Sequence, residues 1–274
     1  MPPAPDSVWI QDVSWQDFEE YVAESEHPTV VVPIGSTEQH GPHLPLGVDA
    51  YQAKDVAEGI AERAGVLAAP PIWYGDAEHH MAFPGTIALS SETVISVLKD
   101  VYESLAEHGV ENVMTVNGHR LANLPAIEIA SKQTKEEYPD VFFSTVDLVR
   151  IGVRIHSELR DGDPEDGMHA GEFETSFMMY KHPDLVKEGE FVKETHGGWT
   201  RFTSNDYVSI DDSVLTASSS QDWGEDDLGH HGDPTEASAE KGEALYEDIV
   251  DNAVEFLEDL YEYRSGDDTL GLTY

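Results

Sequence analysis

Residues 29–49 leave this chain few ways to fold. The run Thr29-Val30-Val31-Val32-Pro33-Ile34 is short, apolar and β-branched, and Gly35 ends it, so it reads as a buried strand. Gly41, Pro42, Pro45 and Gly47 then forbid regular structure and turn the chain back, and a helical pattern opens at Asp49. Three chemistry-bearing side chains fall within this turn. Residues two apart in extended chain point the same way, so Glu38 and His40 face one point with Gln39 turned aside, and Asp49 follows. Two oxygen donors and one nitrogen donor at the end of a buried strand suit a divalent ion such as zinc or manganese. Each residue also has a plainer role: Asp49 as a helix N-cap, Glu38 and His40 as solvated loop groups.

The rest of the chain alternates. Further strands are expected at 66–72, 110–116 and 141–149. Helices are expected at 50–64, from Ser90/Ser91 to Gly109, and from Asn123 to Tyr138 with Pro125 in the first turn. One more starts near Glu172. A last one runs to Tyr263 from the cap Asp233-Pro234-Thr235-Glu236. A short edge helix begins at Ser14. Strands alternating with helices give an α/β fold, a three-layer architecture with a mostly parallel central sheet flanked by helices. The expectation is one domain over 1–274, with an irregular segment at about 183–232 that holds Phe191, Trp199, Phe202, Tyr207 and Trp223 and covers the site or a subunit contact. Gly229-His230-His231-Gly232 within it reads as a plain loop.

Strand ends and helix starts place more candidates. His119 follows the third strand, where a parallel sheet delivers functional side chains. Glu174 shares a helix face with Phe177 and Met178, and a buried carboxylate is costly unless it is paired or binds metal. Glu172 faces elsewhere and complements the helix dipole. His169 lies just before that helix, and a histidine near neutrality suits acid–base work. His79 and His80 occupy the loop after the second strand.

Charge and composition exclude whole classes of function. There are 55 acidic and 15 basic residues, a formal net charge of −40, and the acids are spread along the chain. Self-repulsion on this scale is screened in molar salt, where the Debye length is about 3 Å. The composition therefore fits a salt-rich cytoplasm, as in halophilic archaea. It leaves no basic patch for nucleic acid. No 18-residue apolar run is present to cross a membrane, and the N-terminal Met-Pro-Pro-Ala-Pro-Asp lacks the pattern of a secretory signal, so a cytoplasmic location is expected. Cysteine is absent, which leaves histidines and carboxylates as metal ligands.

Gly35-Ser36-Thr37-Glu38-Gln39-His40-Gly41-Pro42-His43-Leu44-Pro45, with Asp49 following, closely resembles the signature of the creatininase (creatinine amidohydrolase) family. Those enzymes are binuclear metal hydrolases that open cyclic or linear amide C–N bonds. Phe83-Pro84-Gly85-Thr86 with His80 before it, Asn117-Gly118-His119, and His169-Ala170-Gly171 with Glu174-Thr175-Ser176 are similar to the family's other motifs. The resemblance implies two divalent ions (Zn, Mn or Fe); in this chain the expected division is Glu38 and Glu174 for one and His40 and His119 for the other, with Asp49 bridging. It implies attack of a metal-bound hydroxide on a small-molecule amide, protonation of the departing nitrogen by His169, and His80 in the substrate pocket. It also implies a homo-oligomer, often a hexamer. Two positions depart from creatininase itself. A glutamate ligand stands there two residues after the histidine of Asn-Gly-His, where this chain has Leu121, so either another carboxylate completes the second site, with Glu174 the candidate, or the site is mononuclear. A glutamate also precedes the catalytic histidine there, where this chain has Met168. These departures keep two other readings open: a formamide hydrolase acting on a formamidopyrimidine nucleotide in flavin and deazaflavin biosynthesis, and a non-enzymatic metal-binding scaffold of the same fold.

Overall fold

The computed structural model describes residues 7–163, 167–195 and 217–266, the Leu121 side chain excepted. Trp199, Phe202 and Tyr207 of the irregular segment lie outside these residues, as does the Leu121 side chain on which one departure turns. Four strands form the central sheet: β1 (Thr29–Ile34), β2 (Leu67–Ala68), β3 (Asn112–Asn117) and β4 (Phe142–Asp147). Their order is β2-β1-β3-β4, and every pairing is parallel. Both faces of β1 are covered, which is why it reads as an unbroken apolar run.

Eight helices are described: α1 (Trp15–Glu24), α2 (Val48–Ala64), α3 (Ser91–Glu107), α4 (Arg120–Glu137), α5 (Leu148–Ile151), α6 (Val153–Leu159), α7 (Glu172–Lys181) and α8 (Ala239–Arg264). Alternation along the strands divides the core in two. Val31, Met114, Val116 and Val146 pack with α2, α7 and α8; Val30, Val32, Ile34 and Val113 pack with α1, α3 and α4. The expected three-layer α/β architecture is therefore the observed one. None of the described helices is long and apolar enough to cross a membrane.

Several boundaries move for local reasons. Pro70 and Pro71 have no N–H to give a ladder, so β2 stops at Ala68 and the chain rejoins β1 only at an Ile34–Ile72 bridge. β4 ends at Asp147, whose carboxylate accepts from the Arg150 N–H and opens α5 and α6, two short helices that the sequence pattern did not separate from the strand. α4 begins at Arg120 rather than Asn123, which leaves Pro125 inside the helix. Asp233 caps only a single 3-10 turn, Pro234–Glu236, and Ser238 caps α8 itself. A second small sheet pairs β5 (Gly167–His169) with β6 (His231–Gly232), so the Gly-His-His-Gly stretch expected as a loop is partly a strand.

The end of β1 and the end of β3 receive the start of α2 at backbone contact. A Cβ on Gly35 would lie 2.3 Å from the Ala50 nitrogen, and one on Gly118 would lie 2.0 Å from the Asp49 carbonyl oxygen. Only glycine fits at either point.

Candidate metal centre

That seat presents Asp49 to the C-terminal edge of the sheet. Gly47, not Asp49, is the N-cap of α2, so the Asp49 carboxylate is free of capping duty. Its two oxygens face two imidazoles: Oδ1 lies 3.2 Å from His40 Nε2, and Oδ2 lies 3.1 Å from His119 Nδ1. His40 Nδ1 donates to the Glu38 carbonyl at 3.2 Å, and His119 Nε2 donates to the Asp76 carbonyl at 2.9 Å. A backbone acceptor thus fixes each ring and leaves the opposite nitrogen for a ligand.

Glu38, buried, lies 3.3 Å from both His119 and His80. Glu174, also buried, lies 3.9 Å from His40 and accepts from the Ala170 N–H at 2.5 Å. No arginine pairs with it among these contacts. The donor atoms form three groups, each within 4.8 Å: Glu38–Asp49–His119, His40–Asp49–Glu174 and Glu38–His40–His169. The donor atoms group differently from the expected division. His119 goes with Glu38 and His40 goes with Glu174, while Asp49 keeps its place between the two groups. The reason is local. The chain leaves strand geometry at Ile34, so Glu38 and His40 do not follow a two-residue alternation, and their side chains diverge to either side of Asp49.

The groups fit divalent ions. Glu38 Oε2 and Asp49 Oδ2 are fully buried and make no hydrogen bond among the described residues, although His119 is near both. Bare carboxylate oxygens in a protein interior are costly unless a cation meets them. Oxygen and imidazole donors without thiolate suit zinc, manganese or iron.

Without metal, protons do that work. Burial opposes charge on His40, but the Asp49 carboxylate prevails and lifts its pKa to about 9. Burial opposes charge on His119 as well, and Glu38 and Asp49 lift it to about 10. Burial pushes Glu38 up to about 8, with His119 pulling the other way, and burial likewise raises Glu174. Asp49 stays far below the usual carboxylate range, because its two imidazoles outweigh burial. A metal must displace the imidazole protons. Binding at pH 7.5 is expected to release at least about two protons per chain, and affinity to fall as pH is lowered. Calorimetric titration of Mn²⁺ into metal-free protein in two buffers of different ionisation enthalpy measures this. Equal heats in both buffers would refute it.

Two further imidazoles stand over the groups. His80, buried, places Nδ1 2.8 Å from the Gln39 carboxamide nitrogen, and its ring stacks on His169 at 4.6 Å. His169 Nε2 lies 2.9 Å from the Gln39 carbonyl oxygen and 3.0 Å from the Gln39 carboxamide nitrogen. The carbonyl accepts when Nε2 carries a proton, and the carboxamide donates when it does not, so one residue serves both tautomers. Burial, reinforced by His40, holds the His169 pKa well below its ordinary value. Gln39 was expected to turn aside; it is buried at the centre of this network. No signal in the sequence marked it beyond its place between two ligands. Trp223 closes one side, donating its indole N–H to the His79 carbonyl at 2.9 Å and packing on His80, Phe83 and His231. His230 is buried beside His43 and Glu194, and His79 stacks on His119; neither joins a metal group among the described residues. Glu172 faces away, as expected, holding Lys241 and the Asp161 and Gly162 N–H groups.

The family model for creatininase, described as creatinine amidohydrolase, matches residues 11–257. The chain belongs to the creatininase family. The match extends beyond 29–180, where the recognisable motifs lie. This creatininase-family chain is 30% identical over 193 residues to the creatinine amidohydrolase of Pseudomonas putida, covering 66% of this chain and 74% of that one. It is 31% identical over 245 residues to the mycofactocin precursor peptide peptidase of Mycolicibacterium smegmatis, covering 87% and 88%. A crystal structure of creatinine amidohydrolase superposes with a TM-score of 0.80 at 25% identity, covering 94% of this chain and 99% of that one. Relatives of this chain are thus hydrolases, among them a creatinine amidohydrolase and a peptide peptidase.

Proposed function

We propose that this chain is a divalent-metal-dependent amidohydrolase with two metal positions that share Asp49. The shared carboxylate carries the reading: Asp49 offers one oxygen to the His40–Glu174 side and the other to the His119–Glu38 side. Ions held there would lower the pKa of water to about 7 and polarise the scissile carbonyl. The chain's own residues do the rest. Gln39 engages Nε2 of His169, so Nδ1 exchanges the proton, taking it as the nucleophile forms and delivering it to the departing nitrogen. His80, held between Glu38 and Gln39, orients the substrate beside the centre. Trp223 and Phe83 keep water from that side.

The substrate in this reading is a small amide other than creatinine. Met168 stands where creatininase has a glutamate, and it packs against the apolar core instead of offering a carboxylate. A formamide attached to a pyrimidine nucleotide is the leading alternative, and a peptide amide follows from the peptidase relatives. The charge of −40 supports work in a salt-rich cytoplasm, and a homo-oligomer belongs to the same reading.

The test is metal content per chain, on protein purified in molar potassium chloride without chelator, followed by a substrate panel. The panel reads creatine from creatinine, formate from a formamidopyrimidine and amine from a peptide amide. Two metals per chain, with hydrolysis that chelation abolishes and Mn²⁺ or Zn²⁺ restores, is the expected result. One metal would reduce the centre to a mononuclear one. None, with the fold intact, would leave a scaffold without enzymatic function.

A further inference from the structure

Among the described residues Ala170 is the one non-glycine residue with positive φ, at 51°. It stands between His169 and Glu174. A left-handed alanine is disfavoured roughly tenfold against its right-handed form, so something must hold it there. Both of its backbone groups are engaged. Its N–H donates to Glu174 Oε2 at 2.5 Å, and its carbonyl accepts from His43 Nε2 at 3.1 Å. The same His43 nitrogen lies 3.2 Å from Thr175 Oγ1, in the first turn of α7.

His43 is built for this one bond. It is fully buried, and its Nδ1 has no hydrogen-bond partner among the described residues. The ring of Phe191 packs against it edge-on at 5.5 Å, and that of His230 at 5.3 Å. Its own carbonyl accepts from the Lys187 N–H at 2.9 Å. The covering segment is then tied back to the turn: Glu194 pairs with Gly232, and His231 pairs with His169 across β5 and β6. Among the described residues no metal group contains His43.

We propose that His43 is a positioning residue: by donating to the Ala170 carbonyl it holds the left-handed turn that sets His169 over the centre and Glu174 against His40. This rests on the roles given above to His169 and Glu174. It also gives the described stretches around it, Lys187–Glu194 and His230–Gly232, a task, which is to seal the bond against competing water.

The test uses His43→Phe, which keeps a ring but has no donor, and His43→Gln, which keeps an N–H. Each is assayed in molar potassium chloride for Mn²⁺ content and for turnover of the amide that the panel identifies. His43→Phe is expected to keep its fold, to hold Mn²⁺ more weakly, and at saturating Mn²⁺ to lose about tenfold or more in kcat with KM changed little. Adding Ala170→Gly to it is expected to recover several-fold of that loss, because glycine enters the left-handed region without penalty. His43→Gln is expected to stay within about threefold of the parent, since it restores a charge-neutral donor. Parental kcat in His43→Phe, or a double variant no better than His43→Phe, would overturn the proposal. If His43→Phe does not fold, a His43→Gln variant as impaired as His43→Ala overturns it instead. His169→Ala assayed in parallel separates the two failures. Full activity there defeats the functional reading, whereas an inactive His169→Ala beside a fully active His43→Phe defeats this inference alone.

Discussion

Asp49→Ala is expected to empty the whole centre, not half of it. The carboxylate lies between the two imidazoles and belongs to two of the three donor groups, so its loss leaves each side with one carboxylate and one histidine. Two donors do not hold a divalent ion against water at ordinary concentrations. Metal content should fall from the proposed two per chain to near zero, and kcat/KM by on the order of 10³-fold or more, since metal polarisation is worth several kcal/mol of transition-state stabilisation. The fold should survive, because the seat of α2 on β1 and β3 is made by backbone atoms and the side chain caps nothing. In the metal-free variant His40 also loses the partner that lifts its pKa, so its titration should move down from about 9. Elemental analysis and proton NMR of the imidazoles report both effects. A variant that keeps one tightly held metal would mean that the two sides are independent.

His169→Ala is expected to show the opposite pattern: full metal content and little turnover. His169 reaches the centre only through the Glu38–His40 group, and both of those residues have other partners in the groups around Asp49. Removing a positioned proton carrier costs about 10²–10⁴-fold. The loss should appear in kcat, with KM little changed, because the ring is held by Gln39 and His80 and not by the bulk of the substrate. Parental turnover on every amide that the wild-type chain hydrolyses would remove His169 from the mechanism.

Much of this was legible in the sequence, and what was not has a common cause. β1 announces itself because a strand covered on both faces is an unbroken apolar run. Glu38, His40 and Asp49 are close in sequence, so a tight turn alone brings them together. Glu174 was legible as a carboxylate on an apolar helix face, and His119 as the residue after a buried strand. The pairing of donors was not, because it depends on how side chains diverge in a loop that has left strand periodicity. Gln39 and His43 share that difficulty: both lie in the same loop, and nothing in residue type tells a buried amide or imidazole from a solvated one. The β5–β6 pair joins residues more than 60 positions apart through only two or three residues per strand, too short for any period to show.

The glycine seats at Gly35 and Gly118 bear on how a family like this diversifies. Spacing across the centre is written into main-chain contacts between two strands and a helix, where even a methyl group is refused. The surrounding walls come from other stretches, the loop at 73–87 and the segment that carries Trp223 and β6. Descendants can therefore inherit the centre unchanged while the walls are redrawn around it. Relatives that carry names as different as a creatinine amidohydrolase and a peptide peptidase are what such a division of labour allows.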